Sequence, residues 1–159
     1  MAVQSKIWNY VYTNFGTLLS TTLSGETNNT LTASPSIISL SETPTSIFNG
    51  AWSLLLSDLS TVEDEGEGYY DYQIKTELQV GFEINTNDSS QTSYNNAVND
   101  IETIITERLQ TSSYNSTNTN NISIDSISQT SATFDKINNS ESFWIARINF
   151  TINGFITLT

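Results

Sequence analysis

The 159-residue sequence contains no cysteine and no histidine, only two prolines, and five lysines and arginines against 17 carboxylic acids. The missing cysteine removes disulfides, thiol nucleophiles and thiolate zinc sites. The missing histidine removes imidazole acid–base catalysis and the Ser-His-Asp triad. Lys6, Lys75, Arg108, Lys136 and Arg147 are the whole supply of cations, and the formal net charge is −12. Binding nucleic acid through a basic patch is therefore not expected, because neutralising phosphates needs clustered Lys and Arg. The same acidity suits a surface past which DNA must slide without sticking. No apolar run approaches the ~20 residues that span a bilayer. Residues Met1 to Trp8 also lack the charged region and apolar block of a secretory signal. The expected product is cytosolic, with no membrane contact and no cofactor.

What is present is a strong period of two. Tyr70, Tyr72, Ile74, Leu78, Val80, Phe82 and Ile84 fall on even positions, with Thr76 filling the gap; Asp71, Gln73, Lys75, Glu77, Gln79 and Glu83 fall on odd ones. Side chains alternate faces along a strand, so residues 70 to 84 read as one long strand with an apolar and a wet face. It far exceeds the usual ~5–6 residues. Trp144, Ala146, Ile148, Phe150, Ile152, Ile156 and Leu158 repeat the pattern with Gly154 in register, which makes the C-terminal stretch the expected mate.

Around this pair the chain reads as one domain. Val3, Ile7, Tyr10, Val11, Phe15, Leu18 and Leu19 recur at helical spacing, predicting an amphipathic helix from Val3 to Leu23. Leu31 to Ser41, after Pro35, suits a short strand or extended connection. Ala51 to Leu59 predicts a strand covered on both faces, with Trp52, Leu54 and Leu56 on one side and Leu55 and Leu59 on the other. Tyr94, Ala97, Val98, Ile101, Ile104, Ile105 and Leu109 predict a second helix over Ser93 to Gln110, with Asp100, Glu102 and Glu107 on its wet side and Asp88, Ser89, Ser90 or Thr92 as its cap. Ser112 to Asn121 reads as a polar loop. In the strand that opens with Ile122 and Ile124, Ile127 changes parity and Ala132 and Phe134 restore it, which predicts a bulge or bend. The expected fold is α+β: a mainly antiparallel twisted sheet with long strands and a projecting hairpin, packed by two helices.

Three groups of residues stand out as candidates. The acidic run Glu63, Asp64, Glu65 and Glu67, interleaved with Gly66 and Gly68 and joined by Asp71, predicts a hairpin tip that faces solvent or a partner. Its spacing does not match the alternating acids and closing glutamate of a calcium loop. Tyr69, Phe143, Ile145 and Phe155 are apolar residues on the wet side of the long strands, so they mark either a subunit interface or burial under another segment. Arg147, on the same side, is a surface residue or an inter-subunit partner for a carboxylate. Glu77, Glu83 and Asp71 alternate with Gln73, Lys75 and Gln79 as an ordinary wet surface does, which gives no pair of isolated acids for glycosidase-type chemistry.

The order helix, short strand, strand, acidic hairpin, very long strand, helix, polar loop, bent strand, long strand resembles the tail terminator and tail completion proteins of long-tailed bacteriophages. The resemblance is carried by Ser5-Lys6-Ile7-Trp8-Asn9-Tyr10, by the strand Tyr72 to Ile84, by the helix Tyr94 to Glu102 with Ile105 and Leu109, and by the closing strand Phe143 to Ile152. It implies a non-enzymatic virion protein, made in the host cytoplasm, that forms a homohexameric ring at the head-proximal end of the tail. Such a ring stops tube polymerisation and contacts the tail tube protein and a head-completion or neck protein. DNA passes through it, and the acidic hairpin would face the lumen or a partner. Two alternatives stay open: another phage structural subunit (tail tube, baseplate or capsid decoration), or a sugar-binding or hydrolase module, which would need a pocket of convergent polar groups.

Overall fold

A computed structural model of the chain describes residues 2–24, 49–63, 68–85, 87, 91–103, 121–137 and 142–157. Six elements follow in order: α1 (Ala2–Ser24), β1 (Trp52–Glu63), β2 (Tyr69–Glu83), α2 (Thr92–Thr103), β3 (Ile122–Lys136) and β4 (Phe143–Thr157). The four strands form one antiparallel sheet in the order β1-β2-β4-β3. The expected α+β architecture, an antiparallel sheet packed by two helices, is what forms. The expectations for Leu31 to Ser41 and Ser112 to Asn120 lie outside the described residues, as do Asp64, Glu65, Gly66 and Glu67.

The predicted mates β2 and β4 form the centre and pair without interruption from Tyr69 opposite Thr157 to Glu83 opposite Phe143. Fifteen residues at ~3.3 Å each give strands of roughly 50 Å. Unbroken register carries the period of two straight across the sheet. On one face lie the rungs Trp52-Val80-Ala146-Phe134, Leu54-Leu78-Ile148-Ala132 and Leu59-Ile74-Ile152-Ile127. Ile74, Leu78, Val80, Ile148 and Ile152 are fully buried there, each stabilising the fold by about 1.5–3 kcal/mol before entropy is counted.

Both helices cover this face. α1 sets Ile7, Tyr10 and Val11 into the core, and buried Asn14 on the same stripe donates from Nδ2 to the Tyr10 carbonyl at 2.9 Å. α2 contributes Ala97 and Ile101, and Tyr94 packs tilted against Phe134 and edge-on against Trp144, at 5.5 and 5.4 Å between ring centroids. Asp100 was expected on the wet side of α2 but is only 1% exposed. It sits one turn on from Ala97, so the buried stripe is wider than the apolar one. The helix cap also differs from expectation. The Gln91 carbonyl accepts the first helical bond, from Asn95 N–H at 3.0 Å, and Gln91 holds φ 57°; Thr92 is already inside the helix, and Asp88, Ser89 and Ser90 lie outside the described residues.

β1 is longer than expected and changes sides along its length. The register slips between Leu56 and Asp58, with Ser57 as the extra residue, so Leu59 joins the helix-covered face opposite Ile74 instead of sharing a side with Leu55. Burial on both faces holds only at its start, where Trp52, Ser53 and Leu54 are buried; Leu56 is 42% and Val62 67% exposed. In β3 the predicted parity change takes the form of two bulges, between Ile124 and Ser126 and between Gln129 and Ser131. The second restores the phase that the first shifted. The hairpin register runs as far as Glu63 opposite Tyr70, and Gly68 enters β2 at φ 81°, a left-handed turn conformation that glycine adopts without strain.

Candidate functional site

Of the residues that the sequence singled out, the second face of the sheet carries every described one except Glu63. Its rungs are Ser53-Gln79-Arg147-Thr133, Leu55-Glu77-Asn149-Ser131, Asp58-Lys75-Thr151-Ser128, Ser60-Gln73-Asn153-Ser126 and Val62-Asp71-Phe155-Ser123. Hydroxyl and amide groups bond across it. Gln73 Nε2 donates to Asn153 Oδ1 at 3.2 Å, Asn153 Nδ2 to Ser126 Oγ at 3.4 Å, and Asn149 Nδ2 to Ser131 Oγ at 3.0 Å. These side-chain ladders tie three strands together on a wet surface. A shallow depression of about 320 Å³ opens in its middle, lined by Ser57, Lys75, Thr130, Ser131, Asn149 and Thr151. Ser57 and Thr130 are bulge residues that flank the rung Leu56-Thr76-Phe150-Gln129 on both edges, so the sheet bends at that level.

The four apolar candidates on this face separate into two patches at opposite ends. Tyr69 and Phe155 stack at 5.4 Å, 18° from parallel, beside Val62 at the hairpin end. Phe143 and Ile145 pack with Ala51 and Ile137 at the other end, where Ile145 is fully buried. Phe155 lies twelve positions along β4 from Phe143, about 40 Å at ~3.3 Å per residue. They do not make one surface. Ile145 belongs to a small core of its own, whereas the exposed side chains Val62 and Leu56 were not singled out by the sequence. No sequence signal marked them: the slip at Ser57 that turns Leu59 inward shows only once β1 is paired with β2.

The charged candidates are dispersed as well. Glu63 is on the helix-covered side of the sheet and Asp71 on the polar side, so the two described carboxylates of the acidic hairpin point to opposite faces. Arg147, half-buried between Gln79 and Thr133, has no ion pair among the described residues, and Lys75 at the depression has none either. Among the described residues no group of three carboxylates is placed to hold a metal ion.

One titratable group has a strongly altered environment. Tyr72 lies across Gly154 and donates its hydroxyl to the Ser123 carbonyl on the far side of β4 at 2.6 Å. Burial, with smaller contributions from nearby Tyr10 and Asp125, pushes its phenol well above the ordinary range. This is structural chemistry: the tyrosine bridges β2 to β3 over a glycine that leaves room for its ring.

Chemically, the arrangement offers hydrogen-bonding and packing surfaces. The two outer strands, β1 and β3, each have one side with no strand partner among the described residues. From Leu56 to Asp58 and from Thr130 to Thr133 these edges are exposed to solvent. Neither a protein-family model nor a curated protein matches this chain.

Proposed function

We propose that the chain is a structural subunit that assembles with copies of itself into a closed ring, and that the ring is a tail terminator of a long-tailed bacteriophage. The observation that carries this reading is the pair of long outer strands, each with one side unpaired among the described residues and exposed at Leu56 to Asp58 and Thr130 to Thr133; β1 also displays Val62. A 12- to 15-residue strand with an open side and apolar side chains is an association surface unless something covers it. Two different edges on one subunit give a heterologous contact, which closes into a ring when the rotation between copies divides a full turn. In this role the hexameric ring caps the tail tube, meets a head-completion or neck protein on its other side, and lets DNA pass without binding it. The net charge of −12 suits that passage.

The test is capping. Purified protein is added to tail tubes, and binding is read by co-sedimentation and negative-stain imaging, with further tube growth followed by light scattering. The expected result is density at one end of each tube and arrested growth. Incorporation along the tube would instead mark a tube subunit, and no binding to tubes would reject the tail assignment.

A further inference from the structure

The geometry points to one mode of joining: β1 of one copy adds antiparallel to β3 of the next, so the sheets of neighbouring subunits run into one another. This rests on the ring reading and specifies its contact. Across the sheet β1 and β4 run one way and β2 and β3 the other, so the two edges point in opposite directions. A copy moved sideways without being inverted therefore presents its β1 antiparallel to β3, the arrangement that an antiparallel ladder needs. Pairing β1 with β1 would require a twofold axis and would stop at a dimer.

The backbone is set for this. Ile137 N–H donates to the Phe143 carbonyl at 2.9 Å, so the inward-facing residues of the last part of β3 are odd-numbered, and Ala132, Phe134 and Lys136 direct their N–H and C=O groups outward. On the other edge, Gly81 N–H donates to the Ala51 carbonyl at 2.8 Å, so the odd residues of β2 face β1. Their partners Asp58, Ser60 and Val62 then face inward, and Leu59, Thr61 and Glu63 face outward. Neither strand contains the proline that would block a new partner. The bulges at Ser57 and Thr130 flank the same rung, so both edges bend at one level and remain matched in shape. The exposed Leu56 and Ala132 are on the same side of the sheet, where an added strand would cover them.

Proline at an outward position removes no internal hydrogen bond but blocks strand addition. Thr61→Pro disables the β1 edge and Ala132→Pro the β3 edge, leaving each variant one working edge. Native mass of wild type, each variant and an equimolar mixture is measured by light scattering, with circular dichroism and tryptophan fluorescence confirming that each variant is folded. The expected result is an assembled wild type, two variants that are each monomeric, and a mixture that forms a dimer of one Thr61→Pro and one Ala132→Pro chain. If Ala132→Pro alone still dimerises while Thr61→Pro does not, β1 pairs with itself and the inference is wrong. Assemblies that survive both substitutions also overturn it while leaving the ring reading intact; a wild type that is monomeric with tail tubes present as well as absent overturns the ring reading itself. Should either variant fail to fold, Glu63→Pro and Lys136→Pro, at the strand ends, repeat the experiment on the same two edges.

Discussion

Replacing Gly154 with alanine tests how the long sheet is held together away from any interface. A Cβ at this position would fall onto the Ser123 carbonyl and the Tyr72 hydroxyl, and within 2.6 Å of Tyr72 Cζ. Room exists only if β3 shifts to carry the Ser123 carbonyl away from β4 and the tyrosine ring moves as well. Moving the ring breaks the hydrogen bond from Tyr72 to the Ser123 carbonyl, a loss of about 1–1.5 kcal/mol. Overpacking adds about 1–3 kcal/mol. Alanine restricts the unfolded chain more than glycine does, which offsets about 0.4–1 kcal/mol. The net expectation is a destabilisation of roughly 1–4 kcal/mol, read from urea unfolding followed by tryptophan fluorescence at unchanged m. In a Tyr72→Phe background the hydrogen bond is already absent, so the cost of Gly154→Ala should fall by about 1 kcal/mol. A Gly154→Ala protein as stable as wild type, or a cost unchanged by Tyr72→Phe, would refute the reasoning.

The same tyrosine governs alkaline stability. Its phenol, ordinarily near 10, is raised in the folded state chiefly by burial, so the fold binds that proton more tightly than the unfolded chain. The contribution is complete below pH ~10 and is lost as pH rises above it; Tyr72→Phe should flatten the decline in stability measured above about pH 10. Ile74→Ala, at a fully buried centre of the sheet, should cost about 2–5 kcal/mol, while Lys75→Ala on the exposed polar face next to it should change urea stability by less than ~0.5 kcal/mol. Tyr69→Ala removes the stack on Phe155 and should cost about 0.5–1.5 kcal/mol by the same assay.

The parts of this fold that were legible in sequence are those where one physical signal acts alone. β2 and β4 alternate cleanly because one face is covered and the other wet, and α1 shows its apolar stripe from Val3 to Val11. The parity change at Ile127 marked β3 as bent, although not that two bulges, at Asp125 and Thr130, were needed to return it to phase. β1 misled because its closely spaced leucine and tryptophan positions fit several alternations, and only pairing with β2 reveals the slip at Ser57. Asp100 was misplaced because charge suggested exposure where helical position placed it inward. For the candidate site, sequence parity put Tyr69, Phe143, Ile145 and Phe155 on the right face. It could not show that they gather at opposite ends, since separation along a strand becomes distance only once register is fixed. Glu63 and Asp71 fall on opposite faces for a similar reason: the strand-to-strand register, not closeness in sequence, assigns each its side.

Assembly is the central claim, and native mass across a concentration series tests it most directly. The expected result is a plateau at a fixed integer multiple of the 17.6 kDa chain, with closed rings in negative stain of the same fractions. Monomer mass at every concentration, with tail tubes present as well as absent, would contradict it.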